Sequence, residues 1–300
     1  MKQIKFFGIS DVGLVRDGNE DSFLIREFSD KLVLAVADGM GGAAGGQIAS
    51  QTAVATIVQE FDRPGDGSRG IAETIMAVMA NTHQAIRLKG ETAAGNLNMG
   101  TTCTLTVLIP LAASDRLKAF LGHVGDSKLY QLRDDAIVQR SQDHSMLARM
   151  HEAGINTADP ELAASYRHII TKSLGGSAEL ELDAVSEFDL EKGDILLLCS
   201  DGVSNYLQPL ELMRVLKENR SLKRAARRMV NLCKKRGGDD NITVILAEYG
   251  RFPRPMRRPW RWAALLGLIL MLLVGLLFGI LHHDRQVRQS RESVYRQAEN

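Results

Sequence analysis

Seven short runs rich in β-branched and other apolar residues, at 4–7, 32–37, 102–109, 118–121, 128–132, 195–199 and 242–247, constrain this chain more than any other feature. They come in clusters, with helical stretches at 47–61, 71–87, 146–153 and 222–236, rather than as one strand followed by one helix. Clustered strands pair with their neighbours through short connections, so the pattern predicts an α+β fold of antiparallel sheets with helices packed outside. The last helical stretch starts after Ser221, a good N-cap, and stops at Gly237-Gly238. With 300 residues, 45% of them hydrophobic, there is apolar material for one large core or two small ones.

Several of these runs end or begin on an aspartate. Asp38 follows KLVLAVA, Asp126 follows AFLGHVG, Asp201 follows DILLLCS, and Asp240 directly precedes NITVILA. A strand end is a rigid mount from which a carboxylate can enter a cleft. Each of the four stands beside Gly or Asn and also reads as an ordinary turn former. Taken together, carboxylates gathered without basic partners repel one another unless cations hold them. An oxygen-only donor set suits Mg²⁺ or Mn²⁺ rather than zinc, and neither HExxH nor CxxC occurs. The segment RDGNED at 16–21 sets a cation among further acids: the Arg16 guanidinium can bind a phosphate bidentately, and Glu20 and Asp21 can hold metal-bound waters. The same segment also reads as a surface salt-bridge turn. Cys103, Cys199 and Cys233 are odd in number, and two lie in apolar runs, so they read as buried hydrophobes in a reducing compartment.

Charge divides the chain. Residues 251–300 hold nine Arg, no Lys and three acids, a net +6, which leaves −5 on residues 1–250 of a chain whose total is +1. An acidic body argues against nucleic acid as the main partner. After the body at 1–250 comes a Pro/Arg linker at 251–262, an uncharged run AALLGLILMLLVGLLFGIL at 263–281, and a polar tail at 282–300. Nineteen residues span about 28 Å as a helix, close to the hydrocarbon thickness of a bilayer. Trp260 and Trp262 stand where interfacial aromatics belong, and five Arg precede the run without an acid. A single transmembrane helix is expected, with the N-terminal body in the cytoplasm at the cytoplasmic membrane. The start of the chain has no apolar signal-peptide region. Gly275 and Gly279 form a GxxxG that would suit a weak homodimer.

Eight motifs, in order, resemble one family: RDGNED at 16–21, VADGMGG at 36–42, GTTCTL at 100–105, GHVGDSKLY at 122–130, QDHS at 142–145, ITKSLGG at 170–176, CSDGVS at 199–204 and GGDDNITVI at 237–245. Over about residues 5–248 the chain resembles the compact bacterial form of the PPM (type 2C) metal-dependent Ser/Thr protein phosphatases. The resemblance implies two stacked antiparallel sheets flanked by helices, with two metals, Mn²⁺ or Mg²⁺, at one end. It implies that Asp38 bridges both ions, that the Gly39 carbonyl completes one set of ligands, and that Asp201 and Asp240 hold the other ion. Glu20 and Asp21 would act behind the ligands and Arg16 would grip the phosphate, while a metal-bridging hydroxide hydrolyses phosphoserine or phosphothreonine. The implied partners are phosphoproteins and a counteracting Ser/Thr kinase.

The chain departs from the family pattern in three places. Met40 stands where eukaryotic members often have a His that protonates the leaving oxygen, which makes His123 and His144 the candidates by motif. Lys128 replaces an Arg, keeping charge but losing the bidentate fork. Asn205 stands where many members have an Asp that, with Asp126, holds a third metal; a neutral amide makes that site weak, and it also suits a turn cap. The competing reading is a catalytically silent adaptor of the same fold, which would require broken metal ligands.

Overall fold

The computed structural model describes residues 3–63, 69–92, 98–111, 114–155, 157, 159, 165–166, 168–177, 179–219, 221–250 and 271. The chain divides into two units, Met1–Arg254 and Pro255–Asn300. Except for Met271, the linker, the apolar run and the tail expected from the sequence lie outside the described residues, as do Gly275 and Gly279. Among the described residues no helix is long and apolar enough to cross a membrane.

The first unit is built from two antiparallel sheets. One has the order β1 (Ile4–Asp11), β11 (Ile242–Tyr249), β10 (Ile195–Cys199), β7 (Lys128–Arg133), β8 (Ala136–Gln139). The other has the order β2 (Asp21–Glu27), β3 (Leu32–Met40), β5 (Cys103–Pro110), β6 (Leu117–Val124), β9 (Ser186–Leu190), with the short β4 (Gly100–Thr101) pairing with the end of β3. Two long helices, α1 (Gly42–Asp62) and α2 (Ile71–Thr92), cover the outer face of the second sheet. The remaining helices are α3 (Met146–Glu152), the single turn α4 (Asp201–Ser204), α5 (Pro209–Glu218) and α6 (Leu222–Lys235); α5 and α6 cover the outer face of the first sheet.

This layering explains why the central strands read as unbroken apolar runs rather than alternating ones. Along β3, Leu32, Leu34 and Val36 enter the core between the sheets, while Val33, Ala35 and Ala37 pack under α1 and α2. Along β10, Leu196 and Leu198 face the other sheet, and Ile195, Leu197 and Cys199 face α5 and α6. A strand covered on both faces needs apolar residues at every position. The three cores draw only on residues between Ile4 and Tyr249.

Candidate active site

Four connections bring their residues to one end of the sandwich. Asp38 sits near the end of β3, Asp126 in the bend between β6 and β7, Asp201 at the first position of α4 just past β10, and Asp240 just before β11. A cavity of about 780 Å³ opens there, lined by Asp38, Asp126, Asp201 and Asp240 together with Arg16, Glu20, Gly39, Met40, Asn205 and His168. The turn reading and the cleft reading of these aspartates therefore hold together, because the turns form the cavity's walls. Asp21, the first residue of β2, stands directly opposite Asp38 on β3 and is buried.

Charge in this cavity is under-compensated. Burial first, then repulsion from Asp21, Asp201, Asp126 and Asp240, holds the Asp38 carboxyl well above the usual carboxylate range. Burial likewise lifts Asp21 to about 7, against hydrogen bonds from Thr243 and Ser200 that lower it. Asp126 also rises to about 7, mainly by burial and then by the charge of Asp201. The Oδ1 atoms of Asp21, Asp126 and Asp201 are buried without a donor. Among the described residues no three His, Cys, Asp or Glu side chains already form a ready ligand cage. The carboxylates come from separate walls, and like charges this close are stable apart or around a cation. Buried carboxylate oxygens lacking donors, in a cavity whose described lining is rich in carboxylates and holds no Cys, are the donor set for hard divalent ions, so the residues fit the metals the sequence implies.

The backbone beneath is tightly specified. A side chain at Gly39 would meet the Gly46 carbonyl oxygen at 2.0 Å and the Glu20 carbonyl oxygen at 2.7 Å, so only glycine fits where β3, α1 and the Glu20 segment converge. The Asp38 backbone is held on both sides: its N–H donates to Thr102 Oγ1 at 3.0 Å, and its carbonyl accepts from Thr102 N–H at 2.8 Å and Thr101 Oγ1 at 2.9 Å. Asn241 fixes the Arg16-to-Asp21 segment, accepting from Glu20 N–H at 2.7 Å and donating to the carbonyls of Val12 at 2.9 Å and Gly18 at 3.0 Å. Ser200 donates to Asp21 Oδ2 at 2.8 Å. Sequence reading assigned no role to Thr101, Thr102, Ser200 or Asn241. Their presence in the GTTCTL, CSDGVS and GGDDNITVI motifs is the signal that would have found them.

Arg16 Nη2 donates to Asp240 Oδ2 at 3.0 Å, so the surface salt-bridge reading and a place on the cavity wall both apply. Glu20 lines the cavity with its carboxyl raised by burial, which outweighs the nearby Arg16. Lys128 pairs with Asp143, and its charge also lowers the nearby Asp126 carboxyl against the larger effect of burial. Asn205 Nδ2 donates to Asp201 Oδ2 at 3.1 Å, and its own N–H closes the α4 turn on the Asp201 carbonyl at 2.8 Å. The three cysteines are buried, and burial pushes the Cys103 and Cys233 thiols up to about 12, so they are inert.

His123 and His144, the candidates by motif for the leaving-group acid, take the structural role that a His at a loop edge more often has. Neither lines the cavity. His144 Nδ1 accepts from Gly125 N–H at 3.1 Å, which places its proton on Nε2 to donate to Asp183 at 2.6 Å. His123 bonds the Gly125 carbonyl at 2.9 Å and Thr104 at 3.0 Å. Both rings grip the left-handed Gly125, φ +105°, from behind Asp126. The motifs gave their proximity in sequence, but not the direction of their side chains. His168, outside every quoted motif, borders the cavity with Nδ1 3.9 Å from Asp201 Oδ2.

Comparison with known proteins accords with this geometry. A family model described as protein phosphatase 2C matches residues 16–247. A serine/threonine phosphatase of Listeria innocua is 29% identical over 242 residues, covering 80% of this chain and 93% of that protein. The Mycobacterium tuberculosis phosphatase PstP is 33% identical over 246 residues, covering 82% of this chain but only 45% of that protein. A solved PstP catalytic domain in complex with two manganese ions is 33% identical, with a TM-score of 0.67 over 82% of this chain and 98% of that one.

Proposed function

Because the chain belongs to the protein phosphatase 2C family, we propose that its first unit is a metal-dependent protein serine/threonine phosphatase. The observation that carries this reading is the set of buried carboxylate oxygens without donors in one cavity that also holds an arginine. Asp38, Asp201, Asp240 and the Gly39 backbone are the groups that would hold two divalent cations, Mn²⁺ or Mg²⁺, and the manganese-bound relative supports the number. When bound, the ions supply an acidified water and charge to neutralise phosphoryl oxygens. Glu20 and Asp21 accept hydrogen bonds from water behind the ligands. Arg16 exchanges its bond to Asp240 for the phosphate and orients it in line with the attacking oxygen. Water would supply the oxygen that bonds to phosphorus as the phosphorus–oxygen bond to the serine or threonine breaks; one of its protons would end on the leaving oxygen and the other on phosphate. Asp126 lies ready for a third ion, but the amide of Asn205 occupies the Asp201 oxygen that such an ion would share, so this site is weak. The silent-adaptor reading needs a broken ligand set, and every implied ligand lines the cavity.

The first unit, about residues 1–250, is followed in this reading by the linker at 251–262, a membrane-spanning helix at 263–281 and a short tail at 282–300. The catalytic unit faces the cytoplasm, where it meets phosphoproteins and the Ser/Thr kinase that opposes it, and Gly275 and Gly279 form a weak dimer contact. The uncharged run and its Arg-rich flank support this arrangement. A reporter fused after Asn300 reads as outside the cytoplasmic membrane; recovery of the full chain without detergent overturns the span. The catalytic reading is tested with a phosphothreonine peptide. Turnover depends on Mn²⁺ or Mg²⁺ and stops in EDTA, and equal turnover in EDTA contradicts it.

A further inference from the structure

We propose that the outer face of α6 docks the catalytic unit onto the anionic surface of a lipid bilayer. The helix LKRAARRMVNLCKK carries six basic residues and no acid, within a body whose net charge is −5. Leu222, Ala225, Ala226, Met229, Val230 and Cys233 are buried against β1 and β11. The opposite face exposes Lys223, Arg224, Arg227, Arg228 and Lys235. Lys234 is paired with Asp11 at 2.9 Å, but none of those five has a carboxylate partner among the described residues.

Helix stability does not account for these charges. Lys223 and Arg224 stand in the first turn, which contains no acid. Cations at a helix N-terminus oppose the macrodipole, and clustered like charges on one face repel. The packing also places them. Lys234 meets Asp11, which pairs with Ile242 at the cavity end of the sheet. Lys223 to Arg228 therefore lie towards the other end, where Ile4 pairs with Tyr249 and Gly250 N–H donates to the Gln3 carbonyl. That is where the chain leaves β11 for the Arg-rich segment. The twelve residues 251–262 extend at most ~40 Å, about the width of a domain of this size. A tether leaving from the same end lets the basic face reach the headgroups. The occupant is thus an anionic bilayer rather than an acidic protein.

This inference rests on the membrane-tether reading of 263–281, and the test separates the two by omitting that run. Residues 1–250 contain all three cores among the described residues, and the family model spans residues 16–247, so the unit folds alone. It is sedimented with vesicles of phosphatidylcholine, with and without 30% phosphatidylglycerol, at low salt. Binding is expected only to the anionic vesicles and is lost in 0.5 M salt. Each basic residue near such a surface contributes roughly fivefold in partitioning. The triple variant Arg224→Glu, Arg227→Glu, Arg228→Glu should therefore partition at least about 100-fold more weakly, with hydrolysis of a soluble phosphopeptide unchanged. Replacing the same three by Gln gives a milder variant should the reversal impair folding. No binding by the wild-type unit, equal binding by the Gln variant, or retention on heparin without vesicle binding would each overturn the proposal.

Discussion

Strand β10 has at each end an aspartate with a buried carboxylate oxygen, and the two are treated in opposite ways. Asp194, just before the strand and 1% exposed, accepts from Arg133 Nε at 2.9 Å, Arg133 Nη2 at 2.8 Å, Gln131 Nε2 at 2.7 Å and Glu191 N–H at 3.0 Å. Asp201, just after it, faces other carboxylates and keeps a buried Oδ1 without a donor. Burying a charge with a full set of donors ties strands together. Burying one without them is tolerated where something absent from the protein's own atoms completes it. Satisfaction by donors, more than burial, therefore separates the structural carboxylates of this chain from the functional ones.

The comparison is open to attack from both ends. Asp38→Ala removes the carboxylate that faces all the others, so activity with Mn²⁺ should fall by at least ~10³-fold, while stability in EDTA is unchanged or higher because repulsion is relieved. A loss of EDTA stability would class Asp38 with Asp194. Asp194→Ala should do the reverse: it strands Arg133 and Gln131 and lowers stability by about 3–5 kcal/mol in a denaturant titration, with turnover per folded molecule intact. If Asp194→Ala unfolds the protein no more easily than wild type, its donors stabilise nothing.

Arg16 sharpens the contrast, since its partner Asp240 is on the functional side. Arg16→Ala should lower kcat/KM by about 10²–10³-fold, as for one lost donor to a developing anion, without weakening Mn²⁺ binding. Unchanged kinetics would leave it a surface salt bridge. The smallest effect is a pH dependence. Burial, aided by His144, drives His123 from its ordinary 6.5 down to about 3. Below pH 6.5 the unfolded chain takes up a proton that the native ring refuses, so the stability present at neutral pH is lost as pH falls from 6.5 towards 3. Between pH 7 and 5 His123→Gln should lose about 2 kcal/mol less than wild type; parallel pH profiles for the two would show that His123 titrates normally.

Most of the strands legible from sequence are covered on both faces, such as β3 and β10, where a continuous apolar run is the solution; the edge strand β1 was legible only over 4–7. The edge strands β2, β8 and β9 were not legible, because DSFLIRE, AIVQ and SEFDL mix polar and apolar residues on half-exposed surfaces. Helix α5 starts with Pro209 after a Gln208/Glu211 capping box, a start less familiar than Ser or Thr. In the cavity, Asp38, Asp126, Asp201 and Asp240 were legible because a strand end fixes where a side chain emerges. Asn241 was not, because its partners Glu20, Val12 and Gly18 lie more than 200 residues away. The part played by His123 and His144 was not legible, because it depends on which way a ring turns about Gly125.

The most direct test of the central claim is a calorimetric titration of the full chain in detergent with Mn²⁺, wild type beside Asp38→Ala. The unpaired carboxylates predict two ions per wild-type chain and loss of both tight sites in the variant. Two undiminished sites in Asp38→Ala, or no binding by the wild type, would contradict it.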